Sequence, residues 1–252
     1  MNKRKGRAKS SDVFLAIDFC LVAMLVVFSL FWAWQQFMDS PPYVDPERYP
    51  VRGIDISAHN GNINFEAARK DGIEFVFIKA SEGENFKDAN FRRNFDKARK
   101  AGMHIGAYHF FRFDRDGVNQ AINLLDAIGD RQPDLGIAVD VETAGNMEGY
   151  SIGYLKSQLQ AMVDYLNLKG YRVMFYTNRD GYYDFINEDF RGYPLWICAF
   201  TSTPIETDWT FWQFNHHGSV KGIRGNVDLN TFYGSRKEWN EFLKISTCTD
   251  EA

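Results

Sequence analysis

The chain has 252 residues, of which 45% are hydrophobic and 16% aromatic, which is enough for one large hydrophobic core. This composition excludes a disordered or fibrous protein. The net charge of -4 is unevenly distributed, because residues 1–12 hold five basic residues and one acid, a sum of +4, and the remainder therefore carries -8. Since the basic residues cluster in this tail and not on the domain, no nucleic-acid partner is predicted.

A long apolar segment follows the basic tail. Residues 13–34 read VFLAIDFCLVAMLVVFSLFWAW, with Asp18 as the single acid, and a bilayer core needs about 20 apolar helical residues. The basic flank before the segment, and Trp32 and Trp34 at its end, fit an N-terminus inside the cytoplasm. We therefore predict a basic cytoplasmic tail at 1–12 and a single-pass transmembrane signal anchor at 13–37, with the bulk of the chain outside the cytoplasm. A cleaved signal peptide is the alternative, although its apolar region usually has only ~7–15 residues.

The remaining boundaries come from composition. Residues 38–50 contain prolines and scattered charges and are predicted to form an extended linker. The folded domain is predicted at 51–245, followed by a short tail at 246–252. Three cysteines, Cys20, Cys198 and Cys248, are too few for a disulfide framework, which leaves either free thiols or one bridge between the last two.

Eight short runs rich in β-branched and aromatic residues recur after Val51 and are predicted to be strands. They are GIDIS (53–57), FVFIKA (75–80), HIGAYHF (104–110), GIAVDVE (136–142), RVMFYTN (172–178), LWICAF (195–200), FWQFN (211–215) and NVDLNTF (226–232).

Helical stretches separate the early strands. NFEAARKDG, NFRRNFDKARKAG and SIGYLKSQLQAMVDYLNLKG carry apolar residues at helical spacing and end in glycine. Alternating strands and helices indicate a parallel sheet, and eight strands in ~200 residues indicate a closed, TIM-barrel-like α/β barrel. The last strands are joined by segments too short for full helices, so we expect the barrel to be irregular on that side.

Four acidic residues fall near the ends of predicted strands. Asp140 and Glu142 lie two positions apart in GIAVDVE, so they face the same side about 6.6 Å apart. Asp55 lies in the first strand and Asp228 in the last, and these strands become neighbours when the barrel closes. Because active sites of such barrels lie at the C-terminal ends of the strands, we predict that the four acids converge on one rim.

Crowded carboxyl groups cannot all ionise at low cost, so at least one should keep its proton near neutral pH. A protonated acid beside an ionised one is the arrangement that hydrolyses a glycosidic bond. We assign the proton-donor role to Glu142, which has the longer side chain and lies further along the strand. Clustered carboxylates also suit Mg²⁺ or Ca²⁺, so a metal-dependent hydrolase is one alternative and a non-catalytic glycan-binding module is another. No histidine lies in a recognisable metal-binding spacing, and no metal ligand is predicted.

Aromatic residues near the strand ends could stack on sugar rings. Tyr108, Tyr176 and Trp212 are predicted to contact substrate, together with His109. Other aromatic residues at or near strand ends are Phe110, Phe111 and Trp196. Alternation along each strand means that some of this set must point outward to the helices.

Several of these segments, in this order, resemble the motifs of glycoside hydrolase family 25, the bacterial and phage lysozymes or muramidases. The similar segments are GIDIS and HNG, FVFIKASEG, AGMHIGAYHF, AVDVE, YTN and GIRGNVDLNTF, and they extend over nearly all of residues 51–243. The flanking aspartate strands in this order make the resemblance more specific than a D-x-E motif alone. No wall-binding repeats follow the barrel, and the segment RDGYYDFINEDF after YTN is unlike the familiar members.

The resemblance implies an irregular β/α barrel that hydrolyses the β-1,4 bond between N-acetylmuramic acid and N-acetylglucosamine in peptidoglycan. By motif position it implies Glu142 as the proton donor, Asp140 as the partner that supports the reacting centre, and Asp55 and Asp228 as the remaining active-site acids. Asp140 could attack the anomeric carbon or orient the substrate's 2-acetamido group, and neither route needs a cofactor. The expected partners are peptidoglycan glycan strands and a membrane, and we expect a monomer.

Overall fold

The computed structural model describes residue 19 and residues 21–22, 24–32, 41–204 and 208–247. It divides into two compact units, Met1–Pro41 and Pro42–Ala252. In the first unit the described residues 19, 21–22 and 24–32 are helical, while the predicted tail and the rest of the predicted anchor lie outside the described residues. Within the part of the chain that the structure describes, no helix is both long and apolar enough to cross a bilayer.

In the second unit, eight strands form a closed barrel in the order β1-β9-β8-β7-β6-β5-β4-β2, which a β1–β2 pairing completes. All eight predicted strands are confirmed, and a two-residue strand that was not predicted, β3, pairs with β2. The strands are β1 Arg52–Ile56, β2 Ile73–Glu82, β3 Phe86–Lys87, β4 His104–Phe110, β5 Gly136–Asp140, β6 Val173–Asn178, β7 Leu195–Cys198, β8 Phe211–Gly218 and β9 Val227–Phe232.

One strand of the barrel runs against the others. β9 is antiparallel to both of its neighbours, β1 and β8, whereas the remaining barrel pairs are parallel. The prediction of an all-parallel sheet is therefore wrong at β9. The reason is the short connection between Gly218 and Val227, since a parallel crossover needs a dozen or more residues and a hairpin does not. The predicted irregularity on this side is confirmed.

Helices cover the outside of the parallel part of the barrel. The three predicted helices are present, and helices that were not predicted follow β4, β6 and β9. The described helices of this unit are α1 Phe65–Lys70, α2 Phe91–Lys100, α3 Gly117–Ile128, α4 Ile152–Leu168, the single turn α5 Arg179–Gly181 and α6 Arg236–Thr247. Asn64, Asp116 and Ser151 cap α1, α3 and α4 by accepting a backbone N–H with their side chains. After α5 the segment Tyr182–Ile186 forms a π-helical turn.

The barrel interior is packed with aromatic rings. Phe75, Phe77 and Phe211 are fully buried there, and the ring of Phe77 lies where a Cβ on Gly106 would be only 2.2 Å away. Glycine is therefore required at position 106 for this packing. Trp239 of α6 packs on Phe75 and Phe211 near the N-terminal ends of the strands. This end of the barrel is closed, and the opposite end is left for the polar residues.

The folded unit begins before the predicted boundary at Val51. Tyr49 is buried, and its ring contacts those of Trp209 and Tyr233 at 5.5 and 6.1 Å. The Thr231 hydroxyl donates to the Val51 carbonyl oxygen. The C-terminal end of the predicted linker 38–50 is thus packed against the barrel. At the other end, α6 continues to Thr247, past the predicted domain end at 245, and Cys248 lies outside the described residues.

Candidate active site

The four predicted acids line one pocket of about 240 Å³ at the open end of the barrel. Asp55 lies near the end of β1, Asp140 ends β5, and Glu142 follows two residues later. Asp228 lies near the start of β9, and because β9 runs in the opposite direction its start lies at the same edge of the sheet. The predicted convergence is confirmed.

Backbone hydrogen bonds hold the segment that leaves β5. The Val141 N–H donates to the Tyr176 carbonyl oxygen at 2.9 Å, and the Thr177 hydroxyl donates to the Val141 carbonyl oxygen at 2.7 Å. The Asn146 amide donates to the Glu142 carbonyl oxygen at 2.8 Å. The backbone on both sides of the Glu142 side chain is therefore fixed although β5 has already ended.

Asp55 and Asp228 form a hydrogen-bonded pair. They are directly opposite each other in the antiparallel register of β1 and β9. Burial and the negative charge of Asp55 raise the pKa of Asp228 to about 8. Burial also raises the pKa of Asp55, but hydrogen bonds from Asn230, Gln213 and Asp228 oppose that shift. The pair therefore holds a proton near neutral pH.

Asp140 and Glu142 form a second pair of perturbed acids. Burial and the charge of Glu142 raise the pKa of Asp140 well above its ordinary range, and Lys79 opposes the shift. Burial and the charge of Asp55 raise the pKa of Glu142. The Asp140 Oδ1 atom is buried and accepts no hydrogen bond from the described residues. The pocket thus contains an acid that retains its proton and a buried carboxyl oxygen that can receive a substrate group.

Aromatic side chains form the floor of the pocket. Tyr108 and Tyr176, both predicted as substrate contacts, line it together with Trp196. The Trp196 ring lies 4.4 Å from that of Tyr176 and 6.1 Å from that of Tyr108. His216 of β8 and Phe200 complete the wall, with their rings 4.3 Å apart. Flat apolar faces beside carboxyl groups suit a sugar ring, which has apolar faces and a polar edge.

Two predicted substrate contacts lie elsewhere. Trp212 has no exposed surface and packs in the layer between strands and helices, where its indole N–H donates to the Ala199 carbonyl oxygen. His109 is also fully buried, and its ring nitrogens lie 2.8 Å from the Ser81 hydroxyl and 3.2 Å from the Gln120 side-chain oxygen. Burial lowers the pKa of His109 to about 4, so the ring is neutral. Both predictions are wrong because side chains alternate along a strand, and the neighbours of Trp212 and His109 face the pocket instead.

Four of the described residues that line the pocket, and one residue behind them, were not predicted as site residues; Phe200 is one of the four. Gln213 and His216 line the pocket, and Trp196, noted only as an aromatic near a strand end, forms its floor. Asn230 lies behind Asp55, and its amide donates to the Asp55 carboxyl group at 2.8 Å. The period of two would have found Asn230, because it lies two residues after Asp228 on β9. The signal for Gln213 is the same alternation, since it follows the outward-facing Trp212.

A larger pocket of about 450 Å³ opens beside the acids, at the ends of β6 and β7. Its lining includes Asn178, Tyr183, Cys198 and Thr201, and among the described residues that line it Asp180 is the single acid. Acid–base chemistry on a glycosidic bond needs two carboxyl groups, so size does not select the site here. Among the described residues, no group of three His, Cys, Asp or Glu side chains is arranged to hold a metal ion.

Comparisons with known proteins agree with the geometry. Residues 54–223, more than half of the chain, match the family described as "Glycosyl hydrolases family 25". The autolytic lysozyme of Clostridium acetobutylicum is 35% identical over 72% of this chain, and the match spans only 56% of that relative's length. Lysozyme M1 of Streptomyces globisporus is 32% identical over 73% of this chain and 68% of its own length. The structure of a family 25 glycosyl hydrolase from Bacillus anthracis superposes with a TM-score of 0.72 at 29% identity, covering 80% of this chain and 96% of the other.

The raised pKa of Asp228 predicts how folding stability depends on pH. The folded state keeps a proton on Asp228 up to about pH 8, whereas the unfolded chain releases it near the ordinary pKa of 3.8. Stability should therefore fall as pH rises through this window. In Asp228→Asn the amide keeps a donor toward Asp55 but cannot ionise. When the pH is raised from 5 to 8.5, we expect the melting temperature of this variant to fall less than that of the natural chain.

Differential scanning fluorimetry across this range measures the effect. Glu66→Gln is the control, because Glu66 is an exposed carboxyl group outside the pocket. Parallel stability curves for Asp228→Asn and the natural chain would contradict a protonated Asp228.

Proposed function

The chain belongs to glycosyl hydrolases family 25, and we propose that it is a peptidoglycan hydrolase of the lysozyme or muramidase type. Its substrate would be the β-1,4 bond between N-acetylmuramic acid and N-acetylglucosamine. The observation that supports this most strongly is the gathering of Asp55, Asp140, Glu142 and Asp228 in one pocket with an aromatic floor. The names of two relatives, the autolytic lysozyme of Clostridium acetobutylicum and lysozyme M1 of Streptomyces globisporus, also support the proposal.

In this proposal Glu142 donates its proton to the oxygen of the leaving sugar. Its carboxyl group is half-buried at the pocket wall, and burial together with the charge of Asp55 raises its pKa. A general acid is most effective when its pKa lies near the working pH, because it must hold the proton and still release it. The fixed backbone around Glu142 keeps the carboxyl group in place during this transfer.

Asp140 supports the carbon atom that loses the leaving group. With the proton of the Asp140–Glu142 pair on Glu142, Asp140 is ionised. Its unpartnered Oδ1 atom then either attacks the anomeric carbon or accepts a hydrogen bond from the substrate's acetamido N–H, which would aim the acetamido oxygen at that carbon. Both routes use a carboxyl oxygen that the protein itself leaves unsatisfied.

We also propose that residues 13–37 anchor the chain in a membrane with the barrel outside the cytoplasm. The support lies in the sequence: an apolar run of sufficient length, a basic flank before it and tryptophans at its end. An anchor would confine hydrolysis to glycan strands near the membrane, which raises the local concentration of the enzyme at its substrate.

Replacing the proposed acid tests the mechanism. In Glu142→Gln the amide keeps the shape of the side chain but cannot deliver a proton, so we expect a loss of ~10²–10⁴-fold or more in the release of reducing ends from purified peptidoglycan. Glu148→Gln is the matched control, because Glu148 is an exposed residue of the same loop and does not line the acid pocket. Turnover by Glu142→Gln at the rate of the natural chain would refute the assignment.

The pH profile and a chelator distinguish the glycosidase from a metal-dependent hydrolase. One protonated and one ionised carboxyl group should give a bell-shaped profile with an acid-to-neutral optimum. The raised pKa of Glu142 places the loss of activity at high pH, since the proton donor is then ionised. We expect no change in rate with a divalent-metal chelator. Loss of activity in the chelator, with recovery on adding Mg²⁺ or Ca²⁺, would favour the metal-dependent alternative.

Deleting residues 1–37 tests the anchor. The deletion leaves the second compact unit intact, so we expect a chain that still cleaves peptidoglycan fragments but no longer sediments with membranes. The full chain should fractionate with membranes and resist extraction by carbonate. A mature protein that is found free of membranes and begins after the apolar run would show that the segment is a cleaved signal peptide.

A further inference from the structure

Two buried side-chain amides meet one carboxyl oxygen beneath the acid pocket. The Gln213 Nε2 atom lies 2.7 Å from the Asp55 Oδ2 atom, and the Asn230 Nδ2 atom lies 2.8 Å from the same oxygen. All three side chains are more than nine-tenths buried. Gln213 and Asn230 also face each other directly in the antiparallel register of β8 and β9. The contact is therefore set by the strand pairing and not by a mobile loop.

An aromatic hydrogen-bond donor lies behind each amide. The indole N–H of Trp196, which can only donate, lies 2.7 Å from the Asn230 Oδ1 atom. The Asn230 oxygen must therefore face Trp196, and its NH₂ group must face Asp55. On the other side, the Gln213 NH₂ group donates to Asp55, because an ionised carboxylate only accepts, and the Gln213 Oε1 atom accepts from the Tyr176 hydroxyl at 2.8 Å. Two chains of donors thus end on one oxygen of Asp55.

From this arrangement we propose that Gln213 and Asn230 are positioning residues that keep Asp55 as the charged acceptor of the Asp55–Asp228 pair, which leaves the shared proton on Asp228. Two N–H donors on one oxygen stabilise the ionised form and offer nothing to a proton on that oxygen. Asp228 is the partner that must donate. The inference rests on the proposed glycosidase function only where it links this charge to catalysis.

The link to catalysis is electrostatic. The negative charge on Asp55 is a cause of the raised pKa of Glu142, so it helps the proposed acid to keep its proton. Other titratable groups also face Asp55 from the elements around it. They are Asp228 on β9, Asp140 and Glu142 at the end of β5, Tyr108 on β4, Tyr176 on β6, Cys198 on β7 and His216 on β8. Lys79 on β2 acts on Asp140 and lowers its pKa. Removing the amide donors should move the proton toward Asp55 and lower the pKa of Glu142.

The test replaces each donor by an apolar residue of similar size, Gln213→Met and Asn230→Leu, in the full chain. We expect the high-pH limb of the kcat/KM profile on purified peptidoglycan to move to lower pH by about one unit in each variant. At a pH above the limb this shift is about a tenfold loss of activity. Thr231→Val is the matched control, because Thr231 is a buried polar residue of the same strand whose hydroxyl binds backbone carbonyl oxygens outside the pocket. It should keep the natural profile.

A second measurement does not need substrate. Carbon-13 NMR of aspartate carboxyl groups, assigned with Asp55→Asn and Asp228→Asn, should show Asp228 titrating at higher pH than Asp55 in the natural chain. In Gln213→Met and Asn230→Leu the difference between the two titration midpoints should become smaller or change sign. If either variant does not fold, Tyr176→Phe removes the hydrogen-bond donor to the Gln213 side-chain oxygen and should reduce the same difference.

The outcomes distinguish a failure of the proposed function from a failure of the role proposed for Gln213 and Asn230. A natural chain that does not cleave peptidoglycan would refute the proposed function, while the NMR titration would still decide the role of the amides. Variants that lose rate at every pH with an unshifted limb and an unchanged titration order would show that Gln213 and Asn230 are merely structural, which overturns the inference.

Discussion

The rest of the structure depends on the crowding of four carboxyl groups in one pocket, where Asp55 and Asp140 are buried and Glu142 and Asp228 are half-buried. A carboxylate removed from water loses several kcal/mol of solvation, and each like charge nearby adds to that cost. The barrel meets the cost in two ways. Asp228 and the Asp140–Glu142 pair have raised pKa values, so that protons reduce the total charge. Asp55 instead receives donors from Gln213 and Asn230.

The reversed strand β9 makes this arrangement possible. An all-parallel barrel would bring only the C-terminal ends of strands to the pocket, and residues near the start of a strand would lie at the closed end. Because β9 is antiparallel, its first residues reach the open end, and Asp228 lies directly opposite Asp55. The same reversal brings Asn230 opposite Gln213. The irregular side of the barrel is therefore the side that builds the Asp55–Asp228 pair and its donors.

Much of the fold could be predicted, because strands and early helices follow from the period of hydrophobic residues. The direction of β9 could not be predicted from period alone, although the short segment before it already limits the crossover. The four acids were found because each lies in or near an otherwise apolar strand, as Asp140 and Glu142 do in GIAVDVE, where burying a carboxyl group costs stability. Trp212 and His109 were misplaced because strand alternation gives two faces without saying which one lies inside. Gln213 and Asn230 were missed because a buried amide gains its role only from the atoms around it.

The two pairs of acids thus have different tasks, and the order between them follows from their surroundings. Asp55 and Asp228 are tied to each other, and Asp55 also accepts hydrogen bonds from two buried amides of β8 and β9, so protein groups set the charge of this pair. Asp140 keeps an unpartnered oxygen and Glu142 lies half-exposed at the wall, so a bound sugar can reach both. The first pair sets a fixed charge, and the second pair responds to it. This separation helps catalysis, because Glu142 must hold a proton while Asp140 stays available to the substrate. The charge of Asp55, which acts on Glu142, stays in place when Glu142 transfers its proton.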